Sequence, residues 1–498
     1  MDLKEDFAEY HASYSFARGA LQTVRTLVVK QHEVPLDKYE TYKRFAMAVA
    51  DDYARTVVLF STSSSPNSLQ KEVANLPYSD NSEAMQAFND AVNQARSGNI
   101  PAVIDSLNRA VKADPHFARA WLLLAGIYVT TSRHEMALET FRRAREADPD
   151  DSVVNRAFVS ALMDQQEYQE AASVLQNLVK SEPGNSDMFS ALGGALSLLK
   201  RYDEAAGAVE SAIKLAPDHA RLYSQLGSIY MHGGKQDQAL EAFAKAIDLD
   251  SSPEMLNSVS YEMADAGQSL PLSLEYAKKA VRAEEESTAQ MKLADLSEKD
   301  LASPSVLSAY WDTLGWAYFK LGELDEAAKY LSAAWTISQN YINADHLGQV
   351  YEQEHKKDEA ARMYRLALIA SPKLDATKET QERLDRLGAS ANPGRFGNAG
   401  REELSKLRTV KLPSITSESA SAEFFLLFGP GSKLQEIQFV SGSEKLRSAD
   451  RALSAASFEV PFPDNGPTRL LRRGVLSCSS ISGCTFVLYT PDMVRSRN

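Results

Sequence analysis

From residue 118 onward the apolar positions of this chain fall into a fixed frame. Trp121, Leu124, Ala125 and Tyr128 are followed by Ala137, Phe141 and Ala144, and the unit ends at Pro149. The first four share one face of a helix, as do the next three, so each unit predicts two amphipathic helices. A shift of 34 residues gives Asn155, Phe158, Val159, Leu162, Ala171, Leu175, Leu178 and Pro183. The next shifts give Phe189, Leu192, Gly193, Leu196, Ala205, Val209, Ala212 and Pro217, then Tyr223, Leu226, Gly227, Tyr230, Ala239, Phe243 and Ala246, with Ser251 in place of the proline. Backwards, Val103, Leu107, Ala110 and Pro115 keep the frame, with a weak first helix over 84–95. Trp311, Leu314, Gly315 and Tyr318 open another copy, and Ala344, Leu347, Gly348 and Tyr351 open the last, which closes at Pro372. A decayed copy lies over 256–283. About seven repeats result.

The frame has a physical sense. Small residues let the two helices of a unit approach closely, and proline ends the second because it has no amide donor and restricts the residue before it. The turns are polar, as in Ser132-Arg133-His134-Glu135 and Lys200-Arg201-Tyr202-Asp203. No unit can bury its apolar face alone, so stacking must complete the core. The eight recurring positions resemble the tetratricopeptide-repeat (TPR) pattern over most of residues 84–375. The resemblance implies a mainly α fold, an α-solenoid of helix-turn-helix repeats, and a non-catalytic scaffold that binds a peptide or protein in its concave groove. The first helix of each unit would line that groove. Its candidate ligand-facing side chains are Arg119, Leu122, Arg156, Ser160, Met163, Ser190, Ser224, Ser228, Met231, Asp312 and Trp316. Small serines, flexible methionines and scattered arginines suit an adaptable peptide site. The Lys/Asn clamp by which some family members hold a chain-terminal carboxylate is absent, because Leu122 and Gly126 stand at its positions.

Both flanks differ from the repeats. Over 8–17 and 20–34, alternating residues rich in Tyr, Thr and Val predict a β-hairpin turning at Arg18-Gly19. Over 36–54 a helix places Tyr39, Tyr42, Phe45, Ala46 and Val49 on one face, and 57–60 reads as a closing strand. Tyr14-Ser15-Phe16, Val34-Pro35 and the 39–45 segment resemble the end of the β-sandwich that follows the transglutaminase-like domain of certain exported bacterial proteins. No catalytic residue is carried over from that family. At the other end, 422–428, 433–441, 446–456, 469–477 and 485–489 predict a β-β-α-β-β domain. Ala422-Glu423-Phe424, Gly431-Ser432-Lys433-Leu434, the 449–456 helix and Val460-Pro461-Phe462-Pro463 resemble the C-terminal domain of TonB-type proteins, which implies a second partner bound by strand addition, or cell-wall material. The domains expected are 1–60, a linker 61–80, a solenoid 81–385 with an insertion at 284–306, a flexible linker 386–407, and 408–498. The insertion is an added helix or a mobile loop, its acidic run (Glu284, Glu285, Glu286, Asp295, Glu298, Asp300) reads as a solvated face, and Arg472-Arg473 reads as an exposed strand face or a contact for an anionic partner.

Charge narrows the partner class. The net charge is −13; residues 401–498 carry +3, leaving −16 on residues 1–400. An acidic body argues against nucleic acid, and no run is apolar enough to span a membrane. The charged start Met1-Asp2-Leu3-Lys4-Glu5-Asp6 has no apolar signal region, which favours the cytoplasm, whereas the flanking resemblances favour the cell envelope. Cys478 and Cys484 can form a disulfide within a hairpin. The 8 histidines show no zinc-ligand spacing, and no phosphate loop or nucleophile elbow occurs, so neither cofactor, metal nor catalysis is expected. The alternatives are an accessory portion of an exported transglutaminase- or peptidase-like enzyme, or an envelope-binding protein acting through the C-terminal domain.

Overall fold

The computed structural model describes residues 2–491 except 18–19, 32–33, 36–37, 40, 44, 47–48, 50–75, 97, 132, 371–377, 389–399, 401, 417, 461, 464–465 and 480–482. The turn at 18–19, the closing strand at 57–60, most of the 61–80 linker, Ser132, Pro372 and Pro461 thus lie outside the described residues. The chain divides into two compact units, 1–174 and 175–498.

The first unit opens with β1 (Asp2–Lys4), β2 (Ala8–Ala17) and β3 (Ala20–Val29), an antiparallel sheet in that order with Ala17 opposite Ala20. Residues 41–43 and 45–46 are helical. Phe45 packs edge-on to Phe7, with centroids 5.6 Å apart, and joins Tyr10 and Val49 in a small apolar cluster. Tyr39 and Tyr42 are largely exposed, so the buried stripe of that helix is narrower than its apolar pattern.

The repeats of this unit are the helices α1 (Ser82–Arg96), α2 (Ile100–Ala113), α3 (Ala118–Thr130), α4 (His134–Ala147), α5 (Ser152–Asp164) and α6 (Tyr168–Ser181), the last running across the division. The frame residues Ala125, Ala144, Phe158 and Leu162 are at most 1% exposed. The repeat proline gains a partner that periodicity alone does not show. Trp121 Nε1 donates to the carbonyl of Pro115 at 2.9 Å, and Asn155 Nδ2 donates to that of Pro149 at 2.8 Å. The two donors stand 34 residues apart at the same frame position. Asn155 thus keeps the donor of Trp121 without its bulk.

The second unit continues with α7 (Ser186–Leu198), α8 (Tyr202–Leu215), α9 (Ala220–His232), α10 (Gln236–Leu249), α11 (Pro253–Asp265), α12 (Leu270–Thr288), α13 (Glu298–Leu321), α14 (Leu324–Ser338), α15 (Tyr341–Gln353), α16 (Lys357–Ala370) and a closing α17 (Lys378–Arg386). Among the described residues this makes eight helix pairs where about seven repeats were expected, because the weak copy at 84–113 and the decayed copy at 253–288 each fold as a complete hairpin. Among the described residues, the turn inside seven of the eight pairs holds a left-handed residue. Gln166, Lys200 and Gly234 take φ of 61°, 60° and 75° at intervals of 34, and only one of them is glycine.

The insertion lengthens both flanking helices around a short connection, and its acidic run is only partly solvated, with Glu286, Asp295 and Glu298 exposed. α12 runs on to Thr288, and α13 starts early, from a capping box in which Ser297 and Asp300 bond each other's backbone amides. Pro304 sits inside α13; the Asp300 carbonyl that would face its missing N–H accepts from Ser303 Oγ at 2.9 Å. Glu284 and Glu285 are buried, and Trp311 Nε1 donates to Glu285 Oε1 at 3.3 Å. The C-terminal sheet packs on the connection that follows, at Met291 and Leu293.

That sheet consists of β4 (Thr409–Leu412), β5 (Ala420–Gly429), β6 (Lys433–Gly442), β7 (Leu470–Ser479) and β8 (Gly483–Leu488), with the short helix α18 (Asp450–Ser454) between β6 and β7. Its order is β4-β8-β7-β5-β6, all antiparallel, one strand more than expected because 409–412 pairs with β8. Phe424, Leu426, Leu470 and Leu476 share one apolar cluster with Val281, Leu307, Trp311 and Leu314 of the helices. Leu427 and Leu471 cluster with Met291 and Leu293. Arg469 donates from Nη1 to the Met291 carbonyl at 2.7 Å, and Leu293 N donates to Glu436 Oε2 at 3.0 Å. The sheet is therefore docked on the solenoid rather than tethered. Within the expected linker, residues 402–406 are helical, Arg362 pairs with Glu403 at 2.6 Å, and Leu404 packs into the core of the last repeats. Cys478 and Cys484 stand opposite each other on β7 and β8 and are disulfide-bonded. Arg472 is buried instead of exposed, and Arg473 is paired with Glu423 at 2.6 Å.

Candidate functional site

The first helix of each pair carries the residues expected to face a ligand. In the first unit these helices are α3 and α5. The guanidinium of Arg119 lies 4.2 Å over the Tyr78 ring and 5.7 Å from that of Phe88, and its Nη1 donates to the Leu76 carbonyl at 3.3 Å. The segment ahead of α1 thus occupies this side chain. Leu122 is 5% exposed and packs as core. Arg156 donates from Nη1 to Ser152 Oγ at 3.0 Å, Ser160 is exposed, and Met163 is half-buried.

In the second unit the same face is organised by hydrogen bonds between successive first helices. Ser190 Oγ donates to Gln225 Oε1 at 2.6 Å, and Gln225 Nε2 returns a bond to the Ser190 carbonyl at 2.8 Å. Ser228 Oγ donates to Glu262 Oε2 at 2.5 Å. His346 Nδ1 lies 3.0 and 3.1 Å from the two carboxylate oxygens of Asp312. Asp345 accepts from Thr380 Oγ1 at 2.7 Å and from Arg383 Nη1 at 3.0 Å. Three of these links start one residue after the first frame position and end 34 or 35 residues later, so they tie each repeat to the next. Each contributes about 0.5–1.5 kcal/mol net, more where an ion takes part, and together they set the rotation between neighbouring repeats.

Trp316 is 4% exposed. Its ring stacks on His346 at 4.0 Å and on Phe319 at 4.9 Å, with Lys320 Nζ 4.7 Å above it. Its indole N–H is buried without a hydrogen-bond partner. Met231 at 1% and Asp312 at 7% are also buried, whereas Ser224 is half-buried. The structure therefore brings Asp312 and Trp316 together around His346, leaves Ser190 and Ser228 bonded along the face, and places Leu122 and Met231 in the core. Gln225, Glu262, His346, Asp345 and Arg383 do not stand out in the sequence, because each acts through a neighbour one repeat away. Their signal is the 34-residue offset itself, applied to polar instead of apolar positions. The ring of Tyr261, 6.4 Å from His346, has its hydroxyl pKa raised by burial and then by Asp265 and Asp312. Tyr230 donates to Glu210 at 2.6 Å and is pushed up to about 12, chiefly by burial.

The repeats match known families. The cytochrome c-type biogenesis protein H TPR domain matches residues 83–221, and tetratricopeptide-repeat models match 199–253 and 308–341. All three matches lie in the helical region, which is a TPR solenoid. Among solved structures, a MamA protein is similar at 22% identity, over 34% of this chain and 92% of its own, with a TM-score of 0.31. A MamA fragment (41-end) from Desulfovibrio magneticus RS-1 aligns at 17% identity, over 34% of this chain and 96% of its own, also at 0.31. YrrB, described as a TPR protein with an unusual peptide-binding site, aligns at 19% identity, over 38% of this chain and 95% of its own, at 0.32. No curated protein matches the chain significantly.

Proposed function

We propose, taking the TPR solenoid as the premise, that this chain is a non-catalytic scaffold holding a peptide or a protein against the first-helix face of its repeats. The observation that carries the reading is the lateral ladder of the second unit. It holds hydroxyl, amide and carboxylate groups at one-repeat intervals on a rigid face, and such regular spacing suits an extended chain with alternating polar contacts. In the first unit, Ser160 and Met163 are the exposed and adaptable members of the same face. An acidic body selects for a ligand with basic or neutral polar character. A second partner, if bound by the C-terminal sheet, would use β6, which pairs on one side only.

The test is site-specific photo-crosslinking in the native cells. A photoreactive residue at Ser160 or Ser224 is expected to yield a defined adduct, and the same residue at the exposed Glu139 of α4 is not. Adducts of equal yield at all three positions, or none at Ser160 and Ser224, would reject the face as the binding surface.

A further inference from the structure

The last repeats hold a cleft that no residue of the candidate ligand face lines. Its walls come from α14, α15 and α16, with Leu407 and Glu459 completing them from the C-terminal side. Its volume is about 210 Å³, more than ten times the roughly 10–15 Å³ that one water needs. Ser332 and Thr336 of α14 are short, which leaves this space open, and Thr336 Oγ1 donates to the Ser332 carbonyl at 2.9 Å. Space of this size admits a small organic group or one side chain of another molecule.

The chemistry of the walls narrows the class of ligand. Trp335, Leu347 and Met363 are 7%, 2% and 3% exposed and supply apolar surface. Gln339, at 9%, also lines the cleft, and among the described residues its side-chain amide has no hydrogen bond. The carboxylates of Glu359 and Glu459 are exposed at the rim. Among the described residues neither forms a salt bridge or a side-chain hydrogen bond. The neighbouring cations have other partners. Arg362, which lines the cleft, pairs with Glu403 at 2.6 Å. Lys356, 5.6 Å from the Tyr351 ring, pairs with Glu354 at 3.0 Å, and Glu359 acts on it only through space. The mouth of an apolar cleft thus carries two carboxylates without a bonded counter-charge. A neutral apolar group would fill the walls and leave these charges unanswered, and an anion would be repelled by them. An aliphatic cation satisfies both features, because its stem packs on apolar surface while its charged head stays at the wet rim.

We propose that this cleft binds an alkylammonium group, with its carbon stem against Trp335, Leu347 and Met363 and its charged end toward the carboxylates of Glu359 and Glu459. The ammonium is carried either by a free aliphatic amine or by a lysine side chain of another protein. This site is separate from the first-helix face and does not rest on the scaffold reading.

The experiment is saturation-transfer difference NMR on the full chain in low-salt buffer. The probes are pentylammonium, N-acetyl-lysine methylamide and, as the charge-reversed control with a similar stem, pentanoate. The amine signal is expected to exceed that of pentanoate by roughly threefold or more, and to fall by a similar factor in the double variant Glu359→Gln, Glu459→Gln. Glu139→Gln, which removes an exposed carboxylate of α4, is expected to leave it unchanged. A signal from pentylammonium alone identifies a free amine as the ligand; a signal from the lysine derivative, with or without pentylammonium, identifies a protein side chain. Circular dichroism is the fold control, and the two single variants carry the comparison should the double variant fail to fold. No signal from either amine, a pentanoate signal as strong as that of pentylammonium, a wild-type signal in every folded rim variant, or an equal loss in Glu139→Gln overturns the proposal.

Discussion

Replacing Trp316 by alanine separates a packing residue from a ligand-facing one. The side chain is 4% exposed and lies between two aromatic rings, so truncation removes a large buried surface and two stacks. Truncating a buried Trp typically costs about 3–5 kcal/mol. One term works the other way: the indole N–H has no acceptor, and removing such a group recovers about 1–3 kcal/mol. The expected net loss is about 0–4 kcal/mol, centred on about 2 kcal/mol. It should be confined to the repeats around α13 and α15, because a solenoid transmits stability mainly between neighbours. Urea unfolding followed by hydrogen exchange on those two helices is the appropriate assay, since a single whole-chain transition is not assured for a repeat array. Trp316→Phe keeps the stacks and deletes the unsatisfied N–H, so it should lie within about 1.5 kcal/mol of wild type. The reasoning fails if Trp316→Ala leaves the exchange of α13 and α15 unchanged while abolishing partner capture. Trp316 would then belong to the ligand surface, and its burial would have to open on binding.

Two further substitutions test the packing and the buried acids. A Cβ at Gly315 would stand 2.7 Å from Leu331 Cγ and 3.1 Å from the Leu331 amide nitrogen, whereas a Cβ at Gly126 meets nothing within 4 Å. Gly315→Ala is therefore expected to destabilise by about 1–3 kcal/mol, and Gly126→Ala to stabilise by up to about 1 kcal/mol through helix propensity; thermal unfolding of the two variants should move in opposite directions. Glu284 is held above its usual 4.5, first by burial. The folded chain then binds this proton more tightly than the unfolded chain does. Its favourable contribution is complete below 4.5 and is lost as pH rises through the higher folded value. Glu284→Gln should raise the melting temperature at neutral pH and flatten the pH dependence above 4.5; an unchanged pH profile would show that the Glu284 carboxyl is solvated.

The solenoid was legible in the sequence because its core obeys a short period. Leu124, Phe158 and Leu192 are apolar for reasons internal to one helix hairpin, and repetition multiplies that signal. The insertion was misread for the opposite reason. Glu284-Glu285-Glu286 has the composition of a solvated face, yet Glu284 and Glu285 are buried, with Trp311 of α13 donating to Glu285. Charge patterning reports the preference of a segment standing alone, and packing overrode it here. Arg472 shows the same failure: strand alternation assigns each residue to a face but does not say which face is covered.

The candidate ligand face was legible in position but not in state. Ser190, Ser228 and Asp312 of the first helices have their partners 34 or 35 residues on, at Gln225, Glu262 and His346. A reading that treats each repeat as one unit sees a free serine or aspartate. A reading that lays successive repeats side by side sees donor beside acceptor. This pairing bears on specificity. A ligand that merely offers hydrogen bonds gains little at Ser190 or Ser228, because it replaces bonds already made. Discrimination among ligands must therefore come from groups that the ladder leaves unused. Among the described residues, Ser160, Met163 and Ser224 are expected members of the face that have exposed or half-buried side chains and no lateral hydrogen bond, and substitutions there should alter partner choice more than those at the bonded positions.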